Sequence, residues 1–243
     1  MKDYLLDIVQ HTHALGVIDL IKVVGSDKET AISAVAEDRS VVLDATFHNP
    51  VPEFIGTFGM PNLSKLNTIL NIPEYKENAV VSITKQTNNG ESVLAGIHFE
   101  NKTGDFKNDY RFMAANVVSD KVKDVKFKGV KWGVVFEPTV LGIQRLTFQS
   151  QANSEESTFT AKTENNDLKF YFGDASSHAG NFVFASGISG SFTKSWLWPI
   201  NVVKSILNLP GDKIMRFSDE GAAQITVDSG IAVYNYTLPA QQK

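Results

Sequence analysis

The chain has 243 residues, 42% hydrophobic and 21% charged, with a formal net charge of −4. That is an ordinary globular composition, enough for one large domain or two of roughly 120 residues. The absence of cysteine excludes disulfides and thiolate metal sites. No apolar run approaches the roughly 20 residues of a membrane span, and the acidic balance gives no prior reason to expect nucleic-acid binding.

The opening stretch MKDYLLDIVQHTHALG predicts a helix over 3–14, with Leu5, Ile8, Val9 and Thr12 on one face. Asp3 and Asp7 interrupt its apolar run and His11 and His13 follow, so no secretory signal is expected. Strand patterns come next at VIDLIKVV, TAISAVAE and SVVLDATF. A second helix is predicted over 61–71, on Leu63, Leu66 and Leu70 with Ile69 beside them. Strands AVVSITKQ, SVLAGIHFE and YRFMAANVV follow, the first two joined at Asn88-Asn89-Gly90. The lysines of VSDKVKDVKFKGVKW alternate with Val122, Val125 and Phe127, as in an extended connector.

The pattern then repeats. Strand KWGVVFEP leads to a helix over 138–150, on Val140, Ile143, Leu146 and Thr147. Strands STFTAKTE, LKFYFG and NFVFASG precede a fourth helix over 199–208, on Ile200, Val203 and Leu207 with Ile206 beside them. Strands KIMRFS, AAQITVD and IAVYNYTL finish the chain, with turns at Glu220-Gly221 and Asp228-Ser229-Gly230. Pro61, Pro138 and Pro199 suit first helical turns. Pro73 and Pro210 suit helix stops.

The phrases NTILNIPEY and KSILNLPGD make the repetition explicit. Ile69, Leu70, Asn71 and Pro73 match Ile206, Leu207, Asn208 and Pro210, while Leu63, Leu66 and Ile72 match Ile200, Val203 and Leu209. A period above 100 residues implies two similar domains rather than a solenoid of short units. The expected division is a first domain over 1–118, a connector over 119–128 and a second domain over 129–243.

Charge is distributed unevenly. The stretches 61–72, 138–154 and 198–209 contain no Asp or Glu, where even spreading would place roughly 4–5. Each carries one base: Lys65, Arg145 and Lys204. A weakly positive face rich in hydroxyls and amides, within an acidic protein, suits transient contact with phosphate.

No motif supports chemistry. VDSG at Val227–Gly230 has the form of an aspartic protease loop, but that reaction needs two carboxylates sharing a proton, and a hairpin turn accounts for the residues. GISGS at Gly187 lacks the spacing and context of a nucleophile elbow. His11 and His13, two residues apart on a helix, point in different directions and are expected to be surface residues. The chain has no glycine-rich phosphate loop and no His-Glu-x-x-His. Neither enzyme activity, cofactor nor metal is expected.

Three stretches carry a resemblance to the DNA sliding clamps, the family of proliferating cell nuclear antigen and the polymerase processivity factor of T4-type phages. NDYRFMAANVVSDKVKDVKFKGVKWGVVFEP resembles a clamp's interdomain region. NDLKFYFGDASSHAGNFVF resembles the second-domain hairpin whose edge meets the next subunit. GDKIMRFSDEGAAQITVDSGIAVYNYTLPA resembles the final strand-turn-strand, and the short connector is closer to the phage type. Asp3 and Asp7 depart from the family, whose first helix tends to be basic.

The resemblance implies an α+β clamp fold of two similar domains, each an antiparallel sheet with two helices on one face, assembled as a homotrimeric ring. It implies encirclement of duplex DNA without sequence preference, with Lys65, Arg145 and Lys204 facing the DNA. It implies edge-to-edge joining of subunits near Tyr110–Ala115 and Gly180–Ser186, around Tyr110, Phe112, Phe182 and Phe184. Partners would be a DNA polymerase, a clamp loader and, in the phage type, late transcription factors. Their peptides would enter a pocket at Val41, Val125, Phe127, Tyr236, Leu238, Pro239 and Ala240. The expected location is the cytoplasm, that of the host if the protein is viral. Two alternatives stay open: an oligomeric β-rich structural protein of a virion, and a lipid- or ligand-binding β-protein with an enclosed cavity.

Overall fold

A computed structural model describes residues 1–88, 90–123, 129–174, 176 and 178–241. The chain divides into two compact units. One comprises Met1–Asp38, Val42–Val125 and Ser229–Tyr234; the other comprises Arg39–Val41, Lys126–Asp228 and Asn235–Lys243.

The first unit contains α1 (Lys2–His11), β1 (Leu20–Gly25), β2 (Thr30–Val35), β3 (Val42–Phe47), β4 (Gly56–Pro61), α2 (Leu63–Leu70), β5 (Val80–Asn88), β6 (Glu91–Glu100), β7 (Lys107–Arg111) and α3 (Ala115–Lys121). The second contains β8 (Val134–Phe136), α4 (Val140–Ala152), β9 (Thr158–Glu164), β10 (Asp167–Phe172), β11 (Gly180–Ala185), β12 (Leu197–Pro199), α5 (Ile200–Leu207), β13 (Asp212–Ser218), β14 (Ala222–Asp228) and most of β15 (Ala232–Pro239). Residues of β15 up to Tyr234 group with the first unit.

Strand order shows the duplication directly. In the first unit four consecutive strands lie in the order β4-β1-β2-β3; in the second their counterparts lie as β12-β9-β10-β11. Each set leads into a short helix, α2 or α5, and then into three strands in sequence order, β5-β6-β7 or β13-β14-β15. The ladders within each unit are antiparallel, as in Lys22↔Ser33, Val23↔Phe58, Phe170↔Ala161 and Met215↔Ile225.

The repeated phrase occupies equivalent places. Leu63, Leu66, Ile69 and Leu70 of α2 are buried, and so are Ile200, Val203, Ile206 and Leu207 of α5. Both helices end at an Asn C-cap in right-handed helical conformation, Asn71 and Asn208. Eight-residue helices are marginal alone, so these two exist because their apolar stripes are buried. The helices begin slightly later than the proline positions suggest. Pro61 closes β4 and Asn62 caps α2, its Oδ1 accepting from Lys65 N at 3.1 Å. Pro138 precedes the cap Thr139, and Pro199 is itself the N-cap of α5.

One strand expectation changes, and two strands were not anticipated. YRFMAANVV is not one strand: β7 ends at Arg111, and Ala115–Lys121 form α3, so the connector region opens with a helix. Val118 anchors α3 on the bare backbone of Gly59, where an added Cβ would come within 2.8 Å of Val118 Cγ2. The expected extended alternation at Val125 and Phe127 lies outside the described residues. The strands β4 and β12 were not legible: Gly56 and Gly59 interrupt the apolar period of β4, and β12 has only three residues.

His11 and Asp7 are core residues, 1% and 7% exposed. Asp7 Oδ2 accepts from Tyr234 Oη at 2.7 Å and from Ser229 Oγ at 3.1 Å. His11 Nδ1 lies 3.2 Å from Asp7 Oδ1, and its ring stacks on Tyr234 at 4.6 Å. The carboxylate therefore fastens the turn before β15 to α1 instead of facing solvent, while Asp3 stays exposed. Removing the Tyr234 hydroxyl takes away a hydrogen bond to a buried charged group. Tyr234→Phe should cost about 1.5–3 kcal/mol of stability, read as a lower urea midpoint; an unchanged midpoint would mean that the network contributes no net stability.

Candidate functional site

In each unit two helices lie side by side, α1 with α2 and α4 with α5. On α2, Ser64, Lys65 and Thr68 are exposed opposite the buried Leu66. On α5, Asn201 and Asn208 are exposed, and Lys204 is half-buried, its Nζ donating to Ser150 Oγ of α4 at 2.9 Å. The bodies of α2, α4 and α5 carry no acid, and acidic residues flank α4 only beyond its ends, at Glu137, Glu155 and Glu156.

Arg145 is exposed on α4, but its guanidinium turns towards β11, where Nη1 donates to Val183 O at 3.4 Å. The helix sits directly on that strand: a Cβ on Gly142 would lie 2.6 Å from Phe184 O. Between them runs a cleft of about 450 Å³, lined by Phe136, Thr139, Leu141, Arg145, Val183 and Ile188 among others. Leu141 and Val135 at this cleft are 55% and 50% exposed.

β7 and β11 each terminate a sheet. Of the residues expected to join subunits, Tyr110 and Phe184 are buried and Phe112 and Phe182 half-buried. Tyr110 donates its hydroxyl to Pro61 O, Phe112 stacks on Phe58 at 4.3 Å, and Phe184 stacks on Phe170 at 4.3 Å. These rings fill the units' own cores. The surface that β7 offers is its backbone edge with Lys107, Asp109 and Arg111; β11 offers Asn181 and Val183.

A charged cluster braces β7. His98 on β6 faces Asp109, Nδ1 to Oδ1 at 2.8 Å, and Glu100, Nε2 to Oε2 at 3.3 Å. Lys107 Nζ reaches the same Glu100 oxygen at 3.1 Å. The hydrogen bonds to Asp109 and Glu100 outweigh desolvation and raise the His98 pKa above 6.5.

Of the partner-pocket residues, Val41, Tyr236 and Leu238 are 0% exposed, Pro239 is exposed and Ala240 half-buried; Val125 and Phe127 lie outside the described residues. Alternate residues of β15 face inward, which puts Tyr236 and Leu238 in the core. The Ser218-Asp219-Glu220-Gly221 turn ties the neighbouring segments together. Asp219 Oδ1 accepts from Thr193 N and Lys194 N, both at 3.0 Å, and Trp196 Nε1 donates to Asp219 O at 3.0 Å. Glu220 Oε1 accepts from Lys131 N at 2.9 Å, and Gly221 O accepts from Ala240 N at 2.9 Å. Trp196 is thereby placed beside Gly221 and Ala240, a role that single-residue patterns in the sequence do not reveal.

Among the described residues no group of three or more His, Cys, Asp or Glu could hold a metal ion, and no helix is long and apolar enough to cross a membrane.

No protein-family model matches the chain, and no curated protein matches its sequence. Solved structures do match its fold. One is PCNA (proliferating cell nuclear antigen) of A. fulgidus, in a structure with the C-terminal region of FEN-1 bound; it is 8% identical with a TM-score of 0.71, over 100% of this chain and 96% of that one. Another is PCNA of Thermococcus kodakaraensis, 11% identical with a TM-score of 0.67, over 99% of this chain and 97% of that one. The chain has the fold of the PCNA sliding clamps along its whole length.

The His98 cluster gives a signed pH dependence. A raised folded-state pKa contributes stability that is fully present below the unfolded value of about 6.5 and lost as pH rises through the folded value. The stability difference between wild type and His98→Gln should therefore be largest below pH 6 and shrink towards pH 8. Hydrogen exchange of the β7 amides across that range measures it; a difference independent of pH would remove the imidazolium from the account.

Proposed function

We propose that this protein is a DNA sliding clamp, a homotrimeric ring that encircles duplex DNA and tethers a replicative polymerase for processive synthesis. The observation that carries this reading is the pair of open sheet edges: β7, in the first unit, and β11, in the second, each end a sheet. A copy of the chain can offer its β7 to the β11 of the next. Head-to-tail joins of this kind generate a ring when the rotation closes, and three copies of two units supply six similar segments. Pairing also removes two exposed strand edges, which otherwise invite aggregation.

In this reading the acid-free helices line the hole, where weak contacts through Lys65, Lys204 and Arg145 suit a ring held by enclosure rather than affinity. The protein has no catalytic role. The expected domains 1–118 and 129–243, joined over 119–128, are the two halves of each subunit. Partner peptides from the polymerase, a clamp loader and, in a T4-like phage, late transcription factors dock where Pro239, Ala240 and Trp196 reach the surface above Tyr236 and Leu238. The site of action is the cytoplasm, of the host if the protein is viral. The clamp fold weighs against the alternative of a β-rich virion component.

Assembly is the decisive measurement. Light scattering should give a trimer of 26.7 kDa chains, dissociating on dilution if the joins are weak; a monomer or a dimer at every micromolar concentration would sink the ring. DNA contact is tested separately. Lys65→Glu with Lys204→Glu should leave the trimer intact and shorten primer-extension products, with the defect diminishing as salt screens the charges over roughly 8–10 Å. Equal product lengths for variant and wild type at low salt would mean that α2 and α5 do not face DNA.

A further inference from the structure

β8 shows what one sheet edge of this fold accepts. It is a three-residue strand, Val134–Phe136, paired antiparallel with β13 through Phe136↔Met215, Val135↔Arg216 and Val134↔Phe217. The sheet stops there. Under that cover Met215, Phe217 and Val134 are no more than 1% exposed. In the first unit β5 holds the place of β13, as the first of the three strands after the short helix, yet among the described residues it ends its sheet. Its core-facing side chains register the difference. Val81 and Ile83 stand opposite Phe99 and Ile97 of β6, which are 0% and 1% exposed, but are themselves only half-buried. Val80, at the start of the strand, is 55% exposed.

Edge strands ordinarily carry a charge, a proline or a bulge that blocks stray pairing. β5 has such devices in one half only. Its register shifts between Thr84 and Lys85, and Lys85 is the first charged residue of the strand. The half from Val80 to Thr84 is regular, uncharged and free of proline and glycine. We propose that this half of β5 is a docking edge for an extended peptide segment of another protein, uncharged at its centre and apolar at alternate positions, which adds to the sheet as an antiparallel strand. In strand addition main-chain hydrogen bonds supply affinity, and alternate side chains supply selectivity. Here the alternate side chains would complete the cover over Val81 and Ile83 that Met215 and Phe217 already have. The occupant follows from the counterpart edge. What covers β13 is a lone short strand at which its sheet stops, not the edge of a second sheet. A single extended segment therefore fits β5 better than the hairpin of a second copy. This edge is neither β7 nor β11, so the proposal stands apart from the ring.

The probe is a synthetic peptide with the sequence of residues 131–137, which contains the pairing segment of β8. It is titrated into the full chain, with hydrogen exchange to locate binding and sedimentation to follow assembly. Saturating peptide should slow exchange across Val80–Thr84 and leave β7, β11 and the oligomer unchanged. Two further peptides carry N-methyl groups on alternate amides. An added strand uses the amides of one side only, so one of the two should lose binding and the other keep it. Four results would each overturn the proposal: no protection at Val80–Thr84; a response at β13 instead, where the peptide exchanges with the chain's own β8; equal binding of both methylated peptides; or protection at β5 that appears without peptide as copies associate. A trimer that ignores the peptide overturns only this proposal, and a monomer that binds it overturns only the ring.

Discussion

The architecture depends on hiding the apolar stripes of two short helices. Neither α2 nor α5 is long enough to persist by itself. Each buries four aliphatic side chains at matching positions, Leu63, Leu66, Ile69 and Leu70 or Ile200, Val203, Ile206 and Leu207. At about 1.5–3 kcal/mol for each fully buried side chain, this contribution greatly exceeds any surface contact those helices make. It also fixes what remains outside. Once the aliphatic face is committed inward, the outward face of α2 and α5 consists of Ser64, Lys65, Thr68, Asn201 and Asn208, free to vary without loss of fold. The consistent absence of acid there is therefore informative about what the face meets.

Much of this was legible in the sequence because burial and periodicity write the same message. The four expected helices are present within a few residues of their expected ends, and the strands flanking them alternate as antiparallel sheets require. The duplication was legible because both copies obey the same burial constraint. Where the constraint is weaker, the sequence misleads. YRFMAANVV looks like a strand because Val117 and Val118 are β-branched, yet only Val118 is buried, and tertiary docking on Gly59 makes the segment helical. Gly59 interrupts the apolar period of β4 and, lacking a side chain, admits Val118 of α3.

The candidate site was less legible than the fold. Lys65 and Lys204 belong to the helices expected to face DNA, but Arg145 is drawn to a strand carbonyl and Lys204 to a serine, neither of which spacing can show. Aromatic residues in edge strands suggested a joining surface; alternation turns Tyr110 and Phe184 into their own cores. His11 was expected at the surface, and its burial beside Asp7 was hidden because Asp7's partners, Ser229 and Tyr234, lie 222 and 227 residues away. Val140 was counted with the apolar face of α4, yet it is 74% exposed, because only Leu146 of that set is fully buried.

The sharing of β15 between the two units bears on biosynthesis. Residues 229–234 complete the unit that begins at Met1, so a ribosome that has released the first 118 residues has not yet released everything their fold contains. Asp7 waits, with its helix already synthesised, for a tyrosine made more than two hundred codons later. Completion of the first unit is therefore postponed almost to the end of translation, and its carboxyl group stays uncovered until the chain returns to it.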